Sequence, residues 1–135
     1  MSTSATILET HPRKIAEDFR TVLAECLDAC LDCSQACTQC ADACLSEPAI
    51  DTLTACIAAN LNCADICTAT ATINARQTGF DPELAKALIA VCATACRVCA
   101  DECQRHSSHH QHCKICADEC RKCEQACRAL IEQFS

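Results

Sequence analysis

The chain has 135 residues, among them 18 Cys, one Gly, three Pro and no Trp or Tyr, and its formal charge is −7. That length fits one domain, but large apolar residues are too few for an ordinary Leu/Ile/Phe core, so Cys has to fill the centre. An acidic chain without aromatic stacking platforms argues against nucleic acid as a partner and for metal cations.

Few Gly and Pro, with much Ala, Leu, Glu and Arg, favour helix throughout. Residues 1–12 form a Ser/Thr-rich N-terminal segment expected to fray, with Pro12 suited to a first helical turn. Residues 13–135 read as one domain of four helices. The first is expected from about Arg13 to Leu45, with a break at Leu45-Ser46-Glu47-Pro48 and Ser46 as an N-cap. The second follows from about Pro48 to Arg76. Thr78-Gly79-Phe80-Asp81-Pro82 is the clearest boundary: Gly79 suits a C′ position, Asp81 an N-cap and Pro82 the first turn. The third helix is expected from about Pro82 to Gln104. His106 to His112 form a polar turn capped by Ser107 or Ser108, and the fourth helix runs on to about Gln133. Short connections make sequential helices antiparallel neighbours. The expected fold class is therefore all-α: an antiparallel up-down-up-down four-helix bundle with a Cys-lined lumen.

Met1 to Arg20 lack a basic stretch followed by an apolar one, and no apolar run is long enough to cross a membrane. A reducing cytoplasm, with no membrane partner, is the expectation. There, abundant Cys means metal or redox chemistry rather than a disulfide framework.

The cysteines are periodic. Cys26, Cys30, Cys33, Cys37, Cys40 and Cys44 lie on the first helix, and Cys56, Cys63 and Cys67 on the second, where Asn60 fills the missing seam position. Cys92, Cys96, Cys99 and Cys103 lie on the third, and Cys113, Cys116, Cys120, Cys123 and Cys127 on the fourth. Alternating steps of 3 and 4 are the seam pattern that faces partner helices. Side chains at i and i+4 have Cβ atoms about 5–6 Å apart, and two metal–sulfur bonds of about 2.3 Å span a comparable gap. Each Cys-x-x-x-Cys can thus hold one ion, with facing helices supplying a third sulfur.

A nearly pure thiol lumen selects soft ions: Cu(I), then zinc, cadmium or Fe–S clusters. Low-coordinate Cu(I) suits a row of pairs, whereas structural zinc asks for a tetrahedron that a straight helix does not wrap. The expected function is storage of many Cu(I) ions by thiolates, a binding role rather than an enzymatic one. The alternatives are a zinc or cadmium thiolate buffer and a thiol-redox or Fe–S protein. Cys as a small hydrophobe and Cys as a disulfide scaffold are weaker readings, because the core would be thin and the helix spacing unsuited to bridges.

The two ends differ. One collects Cys44, Cys56, Cys103, Cys113 and the His-rich turn. The other collects Phe19, Val22, Leu23, Leu88, Ile89, Leu130 and Phe134, with Thr70 and Asn74, and reads as an apolar plug. Copper is expected to enter at the polar end, through His106 and His110 on the extended seams, with His109 and His112 close by. Asn60 is expected to fix helix register, with metal contact as its lesser role.

With Cys-x-x-x-Cys and Cys-x-x-Cys runs on four helices and a His-bearing mouth, the sequence resembles the bacterial copper storage proteins from about residue 13 onward. The resemblance implies a four-helix bundle that fills its lumen with Cu(I), and a homotetramer, for which Leu27, Leu31, Ile57 and Leu61 as exposed residues are the sequence's own support. Exported members carry a signal peptide and Met near the mouth. This chain has only Met1, so it is similar to the cytosolic branch. A copper donor or acceptor protein is the partner such a role implies.

Overall fold

The structure, a computed structural model, describes residues 2–134. Among these residues it is all-helical, with five α-helices, one short 3-10 turn and no strand: α1 (Thr3–Thr10), α2 (Glu17–Leu45), the 3-10 turn (Ile50–Thr52), α3 (Thr54–Ala75), α4 (Pro82–Gln104) and α5 (Gln111–Glu132).

The N-terminal segment carries a short helix, α1. Ser2 Oγ accepts the Ala5 N–H at 3.1 Å, capping α1, and Leu8 turns into the main core. Pro12 lies outside any helix. His11 before it is extended, as the residue preceding a proline tends to be. The first long helix therefore starts at Glu17 instead of Arg13, with Glu17 and Asp18 complementing the dipole of its first turn.

Other boundaries shift for local reasons. Ser46 closes α2 instead of opening α3, and a turn through Pro48 and the 3-10 segment delays α3 to Thr54. Gly79 has φ 71° in the turn before α4, beyond the C′ position of α3, which ends at Ala75. Asp81 and Pro82 start α4 as expected: Asp81 Oδ1 accepts the N–H groups of Glu83 and Leu84 at 2.9 and 3.1 Å. Neither Ser107 nor Ser108 caps α5. The Ser107 hydroxyl bonds back to Gln104 O at 2.8 Å, and His110 is the N-cap.

α2 packs against α3 and α5, and α4 packs against the same two. Cysteine numbers rise towards the His-rich end along α2 and α4 and fall towards it along α3 and α5. Small residues let the axes approach. Ala41, Ala64, Ala93, Ala100 and Ala117, each next to a seam Cys, are buried at the helix contacts. At the other end Leu23, Ile89 and Leu130 are fully buried. Phe19 packs edge-on against Phe80 and Phe134, with ring centroids 6.1 and 5.6 Å apart. Thr70 and Asn74 are buried beside this plug. Leu27, expected on the surface, is buried in the core; Leu31 and Leu61 are half exposed. No described helix is long and apolar enough to cross a membrane.

Candidate metal site

A seam residue on each of four helices, repeated at helical spacing, builds a column of sulfur. All 18 cysteines are free and buried, none more than 2% exposed. Sulfurs of one helix lie close at i,i+4, at 3.9 Å for Cys33 and Cys37 and 3.8 Å for Cys63 and Cys67. Several contacts between helices are shorter: Cys37 to Cys120 is 3.6 Å, Cys30 to Cys123 3.7 Å and Cys56 to Cys103 3.4 Å. The pairs that the sequence suggested along single helices are thus joined sideways into one network.

Groups of four sulfurs, all within 4.8 Å of one another, form along the column. One joins Cys30, Cys92, Cys123 and Cys127; another joins Cys40, Cys44, Cys56 and Cys113. Edges of about 3.8 Å are those of a tetrahedral site with 2.3 Å metal–sulfur bonds. Helix geometry alone therefore does not exclude zinc, contrary to the expectation from straight helices. The sharing of sulfurs is more selective. Cys33 and Cys63 belong to two groups, and so do Cys37 and Cys120. A shared thiolate bridges two ions, an arrangement that suits clustered low-coordinate soft ions better than separate closed tetrahedra.

Asn60 interrupts this network. Its Oδ1 accepts the thiols of Cys99, Cys103 and Cys116 at 3.0, 3.3 and 3.2 Å, and its Nδ2 donates to Cys56 Sγ at 3.7 Å. The carboxamide is satisfied by thiols alone, linking α3 to α4 and α5 with its oxygen facing the lumen.

At the His-rich end burial pushes the Cys44 thiol up to about 11, and Cys56 adds repulsion. Cys113 is raised for the same leading reason. Cys56 is drawn down to about 3 by hydrogen bonds from Cys103 and then Cys40, while Cys103, hydrogen-bonded to Cys116 and Cys40, is pushed up.

The histidines separate into roles. His112 Nδ1 is 3.4 Å from Cys40 Sγ and 3.7 Å from Cys113 Sγ, so it touches the sulfur column. His106 Nε2 pairs with Glu102 at 3.0 Å, and His110 Nδ1 with Glu47 at 2.8 Å. His109 is exposed in the turn and is not brought to the sulfurs. Glu47 and Glu102 are functional candidates that the cysteine periodicity did not reveal. Glu102 is legible as the i−4 neighbour of His106, whereas Glu47 meets His110 and His112 only through the fold. The His112 hydrogen bond holds the Glu47 carboxyl below the usual carboxylate range.

The sequence model of the copper storage protein family matches residues 19–132. The solved copper storage protein of Streptomyces lividans, loaded with 10 copper equivalents, is 48% identical with a TM-score of 0.94, over 96% of this chain and 98% of that one. A second Streptomyces lividans structure, a cytosolic copper storage protein with five coppers, is 51% identical with a TM-score of 0.84, over 85% and 96%. The Cu(I)-bound copper storage protein 3 of Bacillus subtilis is 38% identical with a TM-score of 0.69, over 78% and 94%. No curated protein matches.

Proposed function

We propose a mechanism from one premise: this chain belongs to the copper storage protein family, and its function is to store copper. Cu(I) enters the lumen and is held by the thiolates of the 18 seam cysteines as bridged clusters. The observation that carries this reading is the sharing of Cys33, Cys63, Cys37 and Cys120 between neighbouring sulfur groups. The frame is one domain from residue 13 onward, an up-down-up-down four-helix bundle, with α1 as an outer strap over α2.

The protein acts by binding and not by turnover. Where a thiol is protonated Cu(I) displaces its proton, and a cluster with about one copper per thiolate stays near neutral. Copper enters at the His end, with His112 and His110 as the nearest imidazoles, His106 flanking them and His109 outermost. Asn60 keeps the register of the seams. The cytosolic relative supports a cytoplasmic setting, where a donor or acceptor protein exchanges copper at this mouth. A homotetramer is the proposed assembly, supported by the half-exposed Leu31 and Leu61 and by an apolar groove between α3 and α4 lined by Ile66, Val91 and Val98.

Anaerobic titration of the reduced protein with Cu(I), against a chromophoric chelator, tests the reading. Bound copper is expected to approach or exceed the 18 cysteines per chain before the chelator competes. Saturation after one or two ions would remove most of these thiols from the ligand set.

A further inference from the structure

One contact at the mouth lies outside the cysteine pattern. Glu47 sits in the turn between α2 and α3, yet its Oε2 is 2.8 Å from His110 Nδ1 and 2.9 Å from His112 Nε2. The two rings, 5.5 Å apart, belong to the start of α5. One carboxylate oxygen therefore links two separate connections of the chain.

A carboxylate only accepts hydrogen bonds, so both nitrogens facing Glu47 carry hydrogen. In the neutral ring, His112 then keeps its lone pair on Nδ1. That nitrogen lies 3.4 Å from Cys40 Sγ and 3.7 Å from Cys113 Sγ. Glu47 thus sets both the tautomer of His112 and the direction of its free nitrogen. His106 has no share in this contact, being paired with Glu102.

We propose that Glu47 is a positioning residue for copper intake: it holds the His112 Nδ1 lone pair over Cys40 and Cys113 near the mouth and ties the turn after α2 to the start of α5. The proposal rests on the mouth being the way in. Without Glu47 the His112 ring turns freely to solvent, and arriving copper meets Cys40 and Cys113 without an aimed nitrogen. Carboxylate partners of metal-binding imidazoles typically change affinity or activity by about 10–100-fold.

The test is the rate of Cu(I) uptake from a Cu(I) chelate, measured by stopped flow under anaerobic conditions, with final copper content and circular dichroism alongside. Glu47→Ala is expected to slow uptake about ten-fold with unchanged final content. Glu47→Gln, which keeps an accepting oxygen, is expected to recover most of the rate. Glu47→Asp keeps the charge but shortens the reach. It carries the same expectation as Glu47→Ala and serves if that variant fails to fold. In a His112→Ala background, removing Glu47 is expected to slow uptake no further, because the carboxylate acts through that ring. Unchanged or faster uptake in Glu47→Ala, with His112→Ala slow, overturns the role of Glu47 alone, as does a full additive effect in the double variant. Wild-type uptake in His112→Ala overturns the mouth itself.

Discussion

Lowering the pH of the copper-loaded protein from about 7.5 to 5.5 is expected to weaken each copper about a hundred-fold wherever one proton is displaced per ion. The direction follows from the thiols. Cys44 is raised by burial from 9.0 to about 11, and Cys113 is raised too, so these groups hold protons in the empty lumen at neutral pH. Copper must displace those protons, and added acid returns them. The effect is ten-fold per pH unit for each proton exchanged, and it multiplies across a cluster that shares sulfurs. Chelator competition at a series of pH values, corrected for the chelator's own protonation, measures it. Affinity that stays flat over this range would mean that the apo lumen already holds thiolate. The same raised thiols act on folding with the opposite sense at high pH. An unfolded chain releases the Cys44 proton near 9.0 and the folded chain near about 11, so the stability contributed by Cys44 falls as pH rises through that window.

Truncating the plug is expected to cost the empty protein more than removing a ligand. Ile89→Ala or Leu130→Ala should lower the unfolding free energy by about 2–5 kcal/mol. Leu23, Leu53, Ile89 and Leu130 are the largest side chains fully buried. Elsewhere the interior is mainly Cys and Ala, which bury much less apolar area per residue. Cys96→Ala removes one sulfur and is expected to cost about 1 kcal/mol, on the scale of a small core truncation. Denaturant unfolding of the reduced apo proteins compares the variants. Copper should restore much of the loss in Ile89→Ala, because its thiols remain and ligand binding to the folded state adds stability. Plug variants indistinguishable from wild type would place the stabilising contacts elsewhere.

The cysteine seams were legible because thiols repeat at helical spacing and nothing else in the chain competes for the interior. Asp81-Pro82 was legible because its capping chemistry is local. The misread positions depend on more than the side-chain type at one site. Ser46 and Ser107 have N-cap chemistry, but the chain path makes one a helix end and turns the other back onto α4. α1 is too short to stand alone and holds through its packing on α2, and Leu27, read as exposed, is buried among the helices. The sulfur groups arise from three or four helices at once, so spacing along one helix found their members without their partners. Phe80, placed by sequence in a turn, joins the plug by packing with Phe19 and Phe134.

The apolar plug also has a consequence for retrieval. Leu23, Ile89 and Leu130 leave the inner end of the sulfur column with no solvent face. With intake at the His end as proposed, the column is expected to empty from the front, the last ion to arrive being the first to leave. Copper next to Cys40 and Cys113 is then expected to be the working reserve. Copper beside Cys26 and Cys127, the innermost pair at 3.8 Å, is expected to be the last recovered.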